Sequence, residues 1–352
     1  MKRIEVKTGR PYDVLVGRGL IGQTGQIVAQ LQAYNRCVLV SDSNIYPIYG
    51  KQTADCLVKT GMKVFPFVFP AGERSKTLHT TKQLYQFLNE SQITRGDLIV
   101  ALGGGVCGDL AGFAAATYLR GIDFVQIPTT LLAQIDSSVG GKTGVNLEQG
   151  KNLVGAFYQP RVVICDPDLL ESLPEACFID GLGELLKYAL IHDAELFETL
   201  LTNGGTQNVE QNIISCIECK RDIVEQDEFE AGRRMVLNFG HTIGHAIEQI
   251  TGYQSVSHGR AVAIGMRYAA MIGESLGVTP QGTTKQIIKA AQKLGLPTAT
   301  EQSADALFAA LLSDKKRIGQ SIRFVLLCKI GEAVIQDIDL DEFKRLLREA
   351  AG

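Results

Sequence analysis

Residues 97–108 read DLIVALGGGVCG, and this stretch decides the fold class. Its apolar run predicts a buried strand, and the residues that follow, GDLAGFAAATYLRG, predict a helix. Gly103, Gly105 and Gly108 fit the G-x-G-x-x-G pattern in its strand–turn–helix context. Because glycine has no side chain, such a turn lets a diphosphate contact backbone N–H groups at a helix N-terminus. A packing role for these glycines is the alternative interpretation.

The same alternation extends outward from this stretch. The apolar runs RCVLVSD, KVFPFVFP, DFVQIPT and RVVICD are separated by amphipathic segments, which predicts a mostly parallel sheet with helices on both faces. From about Asp166 onward helical patterns dominate, and SIRFVLLCKIG with EAVIQDI predicts one hairpin. We therefore predict an α/β nucleotide-binding domain at residues 1–170 and a mainly α-helical metal- and substrate-binding domain at residues 171–352.

Composition excludes several classes of function. The 352 residues carry a net charge of −3, so no basic field favours nucleic acid or an anionic membrane. No apolar run approaches the roughly 18 residues of a membrane span, and the opening MKRIEVKTGR alternates instead of forming a signal peptide. The eight cysteines predict free thiols in a reducing cytoplasm. Cys216 and Cys219, the one C-x-x-C pair, are interpreted as helix-packing residues.

The ribose partner of a bound nucleotide is not at the usual spacing. Asp123 lies about 20 residues beyond the glycines, but it begins the next predicted strand and so would point away from a ribose. Ligands bind at the carboxyl ends of strands in open α/β sheets, which favours Asp42 or Asn44 at the end of RCVLVSD. A helix N-cap is the alternative role for Asp42.

Three of the five histidines, His241, His245 and His258, fall within eighteen residues. His241 and His245 are four apart and share one helix face. Two imidazoles and one carboxylate form a catalytic zinc set with open positions, and Glu184 is a candidate carboxylate. Satisfied core histidines, and an ordinary ion pair between Glu184 and Lys187, are the alternatives.

Cations and polar residues accumulate beside these candidate ligands and the glycine turn. In a weakly acidic chain, this combination favours a phosphorylated or carboxylated small substrate. The residues are Asp136, Lys142, Lys151, Asn152, Lys220, Arg234, Lys315 and Lys316.

Several long stretches resemble one family. GGGVCGDLAGFAAATYLRG, QIPTTLLAQIDSSVGGKTGVN, KNLVGAFYQP, GELLKYALI, DEFEAGRRMVLNFGHTIGHAIE, SHGRAVAIGM and SDKKRIG occur in the order seen in the 3-dehydroquinate synthase family. The resemblance implies conversion of 3-deoxy-D-arabino-heptulosonate 7-phosphate to 3-dehydroquinate and phosphate in the shikimate pathway. It also implies NAD that is regenerated in each turnover, a cytoplasmic homodimer, and an active site in the cleft between the two domains.

The resemblance also implies roles for individual residues. Zinc or cobalt would be held by Glu184, His241 and His258, with His245 as a proton relay and Glu230 as a second acid–base residue. Lys142 and Arg234 are further catalytic candidates, and Arg120 would reach a neighbouring subunit's phosphate site. Substrate contacts would come from Asp136, Lys142, Asn152, Lys187, Lys220, Arg234, Asn238, His245, Lys315 and Lys316, with Lys316 favoured within the last pair. NAD contacts would come from Asp42, Asn44, Glu73, Lys76, Gly104, Gly105, Asp109, Thr129, Thr130, Lys151 and Ser172.

One region departs from the family pattern. The family usually has Thr-Leu-Pro, then Arg-Glu, then Gly-x-Ala-Glu, whereas this chain has Ser172-Leu173-Pro174 and Gly181-Leu182-Gly183-Glu184. The departure bears on the contact at Ser172 and on local helix packing. A metal- and NAD-dependent polyol dehydrogenase and a related sugar-phosphate cyclase are the alternative enzymes. A non-catalytic nucleotide-binding regulator is an alternative of a different class. Such a protein would be expected to have lost metal ligands, yet none of the predicted ligands is missing from this chain.

Overall fold

The structure, a computed structural model, describes residues 1–252, 255–313, 317–318 and 320–351. The chain divides into two units, Met1–Pro174 and Glu175–Gly352. None of the described helices combines the length and the apolar character that crossing a membrane requires.

Unit 1, Met1–Pro174, is built on a seven-stranded sheet in the order β1-β2-β9-β6-β5-β3-β4. All neighbouring strands are parallel except β1 and β2. A separate antiparallel pair is formed by β7 and β8. The strands are β1 Lys2–Val6, β2 Tyr12–Val16, β3 Arg36–Asp42, β4 Lys63–Phe69, β5 Leu98–Gly103, β6 Asp123–Pro128, β7 Lys142–Leu147, β8 Gly150–Phe157 and β9 Val162–Cys165.

Helices cover both faces of this sheet, as the alternating sequence pattern predicts. Side chains alternate along a strand, so Leu98, Val100 and Leu102 of β5 enter one apolar cluster while Ile99 and Ala101 enter the other. The first cluster includes residues of α1 and α2, and the second includes residues of α3 and α4. The helices are α1 Thr24–Leu31, α2 Lys51–Val58, α3 Leu78–Glu90 and α4 Gly105–Thr117. The predicted parallel α/β fold class is confirmed.

The sequence pattern does not reveal the two antiparallel pairs of this unit. β1 exposes three of its five residues, and β7 begins inside the polar stretch DSSVGGKTGVN. Neither shows the continuous apolar run by which the buried parallel strands are recognised.

Unit 2, Glu175–Gly352, is mainly helical, and its small sheet has the order β10-β11-β12. The predicted late hairpin is confirmed as the antiparallel pair β11 and β12. The helices are α5 Glu175–Ile191, α6 Ala194–Asn203, α7 Val209–Gln226, α8 His241–Ile250, α9 His258–Ser275, α10 Thr283–Lys293, α11 Ala304–Ser313 and α12 Leu340–Ala351. The strands are β10 Arg317–Ile318, β11 Ser321–Lys329 and β12 Glu332–Asp339.

The cysteines behave as the sequence predicts. All eight are free, and Cys216 and Cys219 are buried on α7. Neither belongs to a group of potential metal ligands among the described residues. Their packing interpretation is therefore consistent with the fold.

Candidate functional site

Three side chains from three helices of unit 2 converge on one point. Glu184 lies within α5, while His241 and His258 are the first residues of α8 and α9. The Nε2 atoms of His241 and His258 each lie 3.2 Å from Glu184 Oε1. One potential ligand atom from each residue lies within 4.8 Å of the other two. This separation is small enough for all three to contact a single cation.

Glycines make this convergence possible, because they let the three helices cross closely. A Cβ at Gly183 would lie 2.3 Å from Gly259 O, and one at Gly259 would lie 1.8 Å from Asp180 O. A Cβ at Gly265 would lie 1.9 Å from Gly240 O, immediately before His241. The departure from the family's Gly-x-Ala-Glu thus falls at the crossing of α5 and α9, where an alanine at position 183 requires the backbones to move.

Helix α5 also organises the start of α9. Asp180 Oδ1 accepts hydrogen bonds from Gly259 N at 2.7 Å and Arg260 N at 3.3 Å. These are N–H groups of the first helical turn, which have no partner within their own helix. Asp180 thereby holds the first turn of α9, which carries His258, against the helix that carries Glu184.

The charge state of the cluster suits a cation. Burial alone would raise the pKa of Glu184, but Lys187 and His241 hold this pKa well below its usual range. Burial lowers the pKa of His241, which keeps its imidazole neutral near pH 7. For His258, burial lowers the pKa, but the Glu184 and Glu248 carboxylates outweigh this effect and raise it. The same carboxylates that raise this pKa also favour a cation bound at the His258 ring.

The donor set fits zinc or a similar divalent ion. Glu184 is fully buried, and among the described residues neither of its carboxylate oxygens has a hydrogen-bond partner of normal geometry. Lys187 Nζ forms an ion pair with Glu184 Oε2, whereas the two histidines lie beside Oε1. The ion pair and the candidate metal site therefore use the same carboxylate and do not exclude each other. Two imidazoles and one carboxylate are a known catalytic zinc set that leaves positions open for substrate.

The three histidines differ in their carboxylate neighbours, in line with the separate roles that the resemblance implies for them. His245 lies beside both candidate ligands, with its ring centroid 5.4 Å from that of His241 and 6.0 Å from that of His258. However, His245 groups with Glu248 and His258, while Glu184 groups with His241 and His258. Glu248 is a site residue that the sequence analysis missed. It lies seven residues after His241, and that spacing of two helical turns was the available signal.

The other predicted residues of unit 2 occupy α5, α7 and the segment before α8. Lys187 and Lys220 are buried, and Arg234 is fully buried within a short helical turn, Arg233–Asn238. Arg234 donates through its guanidinium to Glu228 O. Asn238 Nδ2 donates to Glu230 Oε1 at 3.2 Å, which joins two of the predicted residues. Lys315 and Lys316 lie outside the described residues.

The glycine turn of unit 1 has the predicted strand–turn–helix form. Gly103 ends β5, Gly104 precedes α4, and Gly105 is the first residue of that helix. A Cβ at Gly104 would lie 3.0 Å from the Thr130 methyl, and one at Gly105 would lie 3.0 Å from Ser137 Oγ. The nearest neighbours of Gly104 and Gly105 are therefore side chains and not backbone.

Asp42 lies beside this turn and closes an Asx turn instead of capping a helix, since the helical segment that follows, Tyr46–Gly50, has no side-chain cap. Its Oδ1 accepts from Asn44 N at 2.9 Å and Ile45 N at 3.2 Å. Its Oδ2 lies 3.3 Å from the position of a Cβ at Gly103. Asp123, by contrast, bonds to Tyr34 and Arg10 at the start of β6, so the expectation that it is not a ribose contact is consistent with its surroundings.

A buried polar group also connects several predicted residues of unit 1. Lys76 is 4% exposed, and its Nζ bonds to Asp109 Oδ2 and, at 2.6 Å, to Asn152 Oδ1. Glu73 Oε1 accepts a hydrogen bond from Asn146 Nδ2 at 2.8 Å. The sequence analysis did not single out Asn146. A predicted substrate residue, Asn152, thus lies with two predicted NAD residues.

The remaining predicted residues of unit 1 are more dispersed. Thr129 is buried, Asp136 lies in the short helix Ala133–Ser137, and Lys142 begins β7. Lys151 lies in β8, and Arg120 is exposed with a φ of 65°. At the departure from the family pattern, Ser172 Oγ accepts a hydrogen bond from the Tyr49 hydroxyl at 2.9 Å.

Fold and cluster together define an enzyme with a glycine turn on an α/β sheet and a histidine–carboxylate metal centre among helices. Two family models match the chain: "3-dehydroquinate synthase N-terminal" at residues 66–180 and "3-dehydroquinate synthase C-terminal" at residues 181–317. The 3-dehydroquinate synthase of Streptococcus sanguinis (strain SK36) is 46% identical over 345 residues, which is 96% of this chain and 97% of that protein. The chain belongs to the 3-dehydroquinate synthase family.

Two solved structures of other synthases have the same fold. A 2-deoxy-scyllo-inosose synthase, complexed with carbaglucose-6-phosphate, NAD+ and Co2+, superposes with a TM-score of 0.89 at 28% identity, over 99% of this chain and 100% of that chain. The 2-epi-5-epi-valiolone synthase of Streptomyces hygroscopicus subsp. jinggangensis 5008, with NAD+ and Zn2+ bound, has a TM-score of 0.88 at 27% identity, over 99% of both chains.

Proposed function

We propose that this chain converts 3-deoxy-D-arabino-heptulosonate 7-phosphate into 3-dehydroquinate and inorganic phosphate. The reaction comprises transient oxidation, phosphate elimination, re-reduction and intramolecular aldol closure, so its net result is that of a carbon–oxygen lyase. The observation that carries the proposal is the convergence of Glu184, His241 and His258 in a chain of this family.

Both cofactors have candidate residues. Glu184, His241 and His258 would hold a zinc or cobalt ion, and the glycine turn with Asp42, Lys76 and Asp109 would hold NAD. When bound, the metal ion would acidify a substrate hydroxyl and NAD would accept and later return a hydride, so that no net oxidation results. The solved relatives carry NAD+ with Co2+ or Zn2+, which supports this assignment.

The residues of the chain itself would position the substrate and move its protons. Lys187, Lys220 and Arg234 are buried cations, and buried cations suit the phosphate and carboxylate of a sugar acid. Holding the substrate in this way removes entropy from the barrier before reaction. His245, beside both candidate ligands, would carry the hydroxyl proton away, and Glu230 would exchange a second proton while Asn238 orients it.

The proposal includes the oligomeric state of the enzyme and the cellular compartment in which it works. Arg120 is exposed with positive φ, next to Leu119, which is 41% exposed. This outward-pointing segment supports a homodimer in which Arg120 reaches the partner's phosphate site. The eight free cysteines support a reducing cytoplasm. Sedimentation of wild type and Arg120→Ala tests the oligomeric state, and we expect a dimer for both. An activity assay of the same two proteins should show a loss in the variant alone.

The test of the reaction is phosphate release with zinc present and NAD far below the substrate concentration. We expect many phosphates per NAD, equimolar 3-dehydroquinate and no accumulating NADH. NADH that builds up with a polyol, without phosphate release, would instead assign the chain to the polyol dehydrogenases. Release from another sugar phosphate, but not from the heptulosonate, would assign it to the related cyclases.

A further inference from the structure

The ring of His258 is held at both of its nitrogens. Nε2 lies 3.2 Å from Glu184 Oε1, and Nδ1 lies 3.1 Å from Glu248 Oε2. Glu248 is 2% exposed, so this contact is sheltered from water. A carboxylate at that distance from a ring nitrogen accepts a hydrogen bond when the nitrogen is protonated.

We propose that Glu248 is the positioning residue of the metal centre. By accepting the Nδ1–H of His258, it selects the tautomer in which the Nε2 lone pair is free, and it turns that lone pair towards the position that a metal ion would share with Glu184. This inference rests on the proposed metal site and adds a residue to it.

The helix geometry explains how one helix can serve both purposes. Glu248 follows His241 by seven residues on α8, which places both on the same helix face two turns apart. Helix α8 therefore supplies one ligand through His241 and orients a second ligand, on α9, through Glu248. Movement of α8 would disturb two of the three ligands at once.

The energetics favour a functional partner over a purely structural ion pair. Burying a carboxylate is costly unless it is paired, and an apolar residue of similar size would be cheaper at this position. A carboxylate behind a metal-bound histidine gains from the ligand's orientation and basicity instead, and removing it costs roughly 10–100-fold in metal affinity.

The experiment compares Glu248→Gln and Glu248→Ala with matched controls at Glu274. Glu274 also lies on an element of this centre, α9, but 16 residues beyond His258, and its Oε1 accepts from Thr284 N at 2.8 Å. The rise of a helix puts it about 24 Å from the cluster. Zinc affinity of the full chain is measured by chelator competition, together with the visible absorption of the cobalt form and the unfolding midpoint of the metal-free form.

We expect Glu248→Ala to lose about 10–100-fold in zinc affinity and to alter the cobalt spectrum. Glu248→Gln keeps an acceptor oxygen and should lose less. Glu274→Ala and Glu274→Gln should bind zinc like wild type.

Three results would overturn the inference. The first is zinc affinity in Glu248→Ala within twofold of wild type, and the second is an equal loss in the Glu274 controls. The third is two zinc ions per wild-type chain with one lost in Glu248→Gln, which would make Glu248 a ligand with His245. If wild type binds zinc but releases no phosphate, the proposed function fails while the role of Glu248 stands.

Discussion

Glycines decide the geometry of both units, but they do so in opposite ways. At the turn of unit 1, Gly104 and Gly105 have side chains beside them, and a Cβ at either would lie 3.0 Å from its nearest neighbour. At the crossings of unit 2, Gly183, Gly259 and Gly265 face backbone carbonyls, and a Cβ would lie only 1.8–2.3 Å away. The first arrangement places glycines beside side chains that can adjust, whereas the second lets helix backbones approach one another.

Glycine lets helix backbones approach one another in unit 2, and we expect it to serve ligand binding at the turn of unit 1. A threonine or serine side chain can shift by a few tenths of an ångström, but a helix backbone can do so only by moving its neighbours. Substitutions at the turn should therefore affect a ligand more than the fold, and substitutions at the crossings should affect both.

The largest effect is expected from His258→Ala, which removes a ligand without disturbing a crossing. Zinc binding and turnover should both be lost, because the remaining two ligands no longer form a catalytic set. NAD binding to unit 1 should be unchanged. Zinc content by elemental analysis and NAD affinity by calorimetry check this. A zinc-replete, fully active variant would remove the metal assignment.

Gly259→Ala should follow, since its Cβ would lie 1.8 Å from Asp180 O. We expect a loss of about 3 kcal/mol or more in the free energy of unfolding, from overpacking of two helix backbones. Zinc affinity should fall in the same variant, because His258 adjoins the crossing.

Gly22→Ala is the control for this prediction, measured by denaturant unfolding and zinc titration. Gly22 lies in the helical turn Leu20–Gln23, a conformation that alanine adopts, and no described atom lies within 4 Å of a Cβ there. It should keep both properties within experimental error, and a control that is equally destabilised would contradict the backbone-contact argument.

Gly104→Ala should separate the two roles of glycine. The Thr130 methyl 3.0 Å away can adjust, so we expect less than about 1 kcal/mol of destabilisation. NAD affinity should fall by about tenfold, equivalent to about 1.4 kcal/mol, because the new methyl group covers the turn. Gly22→Ala, with no described atom within 4 Å of its Cβ, is the control. Equal NAD affinity in both variants would exclude the turn from the cofactor site.

Cys216→Ala should have the smallest effect on the site. This residue is fully buried on α7, so we expect about 1 kcal/mol of lost packing with unchanged zinc content. Thermal unfolding and elemental analysis measure the two quantities. Loss of zinc would overturn the interpretation of the C-x-x-C pair as packing residues.

Continuous apolar runs made the parallel sheet predictable. DLIVAL and RCVLVSD are buried on both faces, and such strands are recognisable without tertiary information. The pair β7 and β8 was not recognisable, because glycine and polar residues dominate Lys142–Leu147, even though its partner, Gly150–Phe157, follows it directly in sequence.

The residues alone predict the chemistry of the metal centre, and the resemblance implies its three ligands, but neither predicts how they are brought together. The crossing of α5 with α9 brings His258 to Glu184, and the crossing of α8 with α9 brings His241 to both. That crossing depends on Gly240 and Gly265, which are 25 residues apart in sequence. Glu248 escaped notice for the same reason, since its partner His258 belongs to another helix.

The most direct test of the metal centre is X-ray absorption spectroscopy of the zinc-loaded chain at one zinc per molecule. The account predicts two imidazole nitrogens at about 2.0–2.1 Å and a carboxylate oxygen at about 2.0–2.2 Å, with remaining positions filled by water. His241→Ala, like His258→Ala, should retain no stoichiometric zinc, because only two ligands remain. Sulfur scattering at about 2.3 Å, or an unchanged imidazole count in His241→Ala, would contradict the assignment of Glu184, His241 and His258.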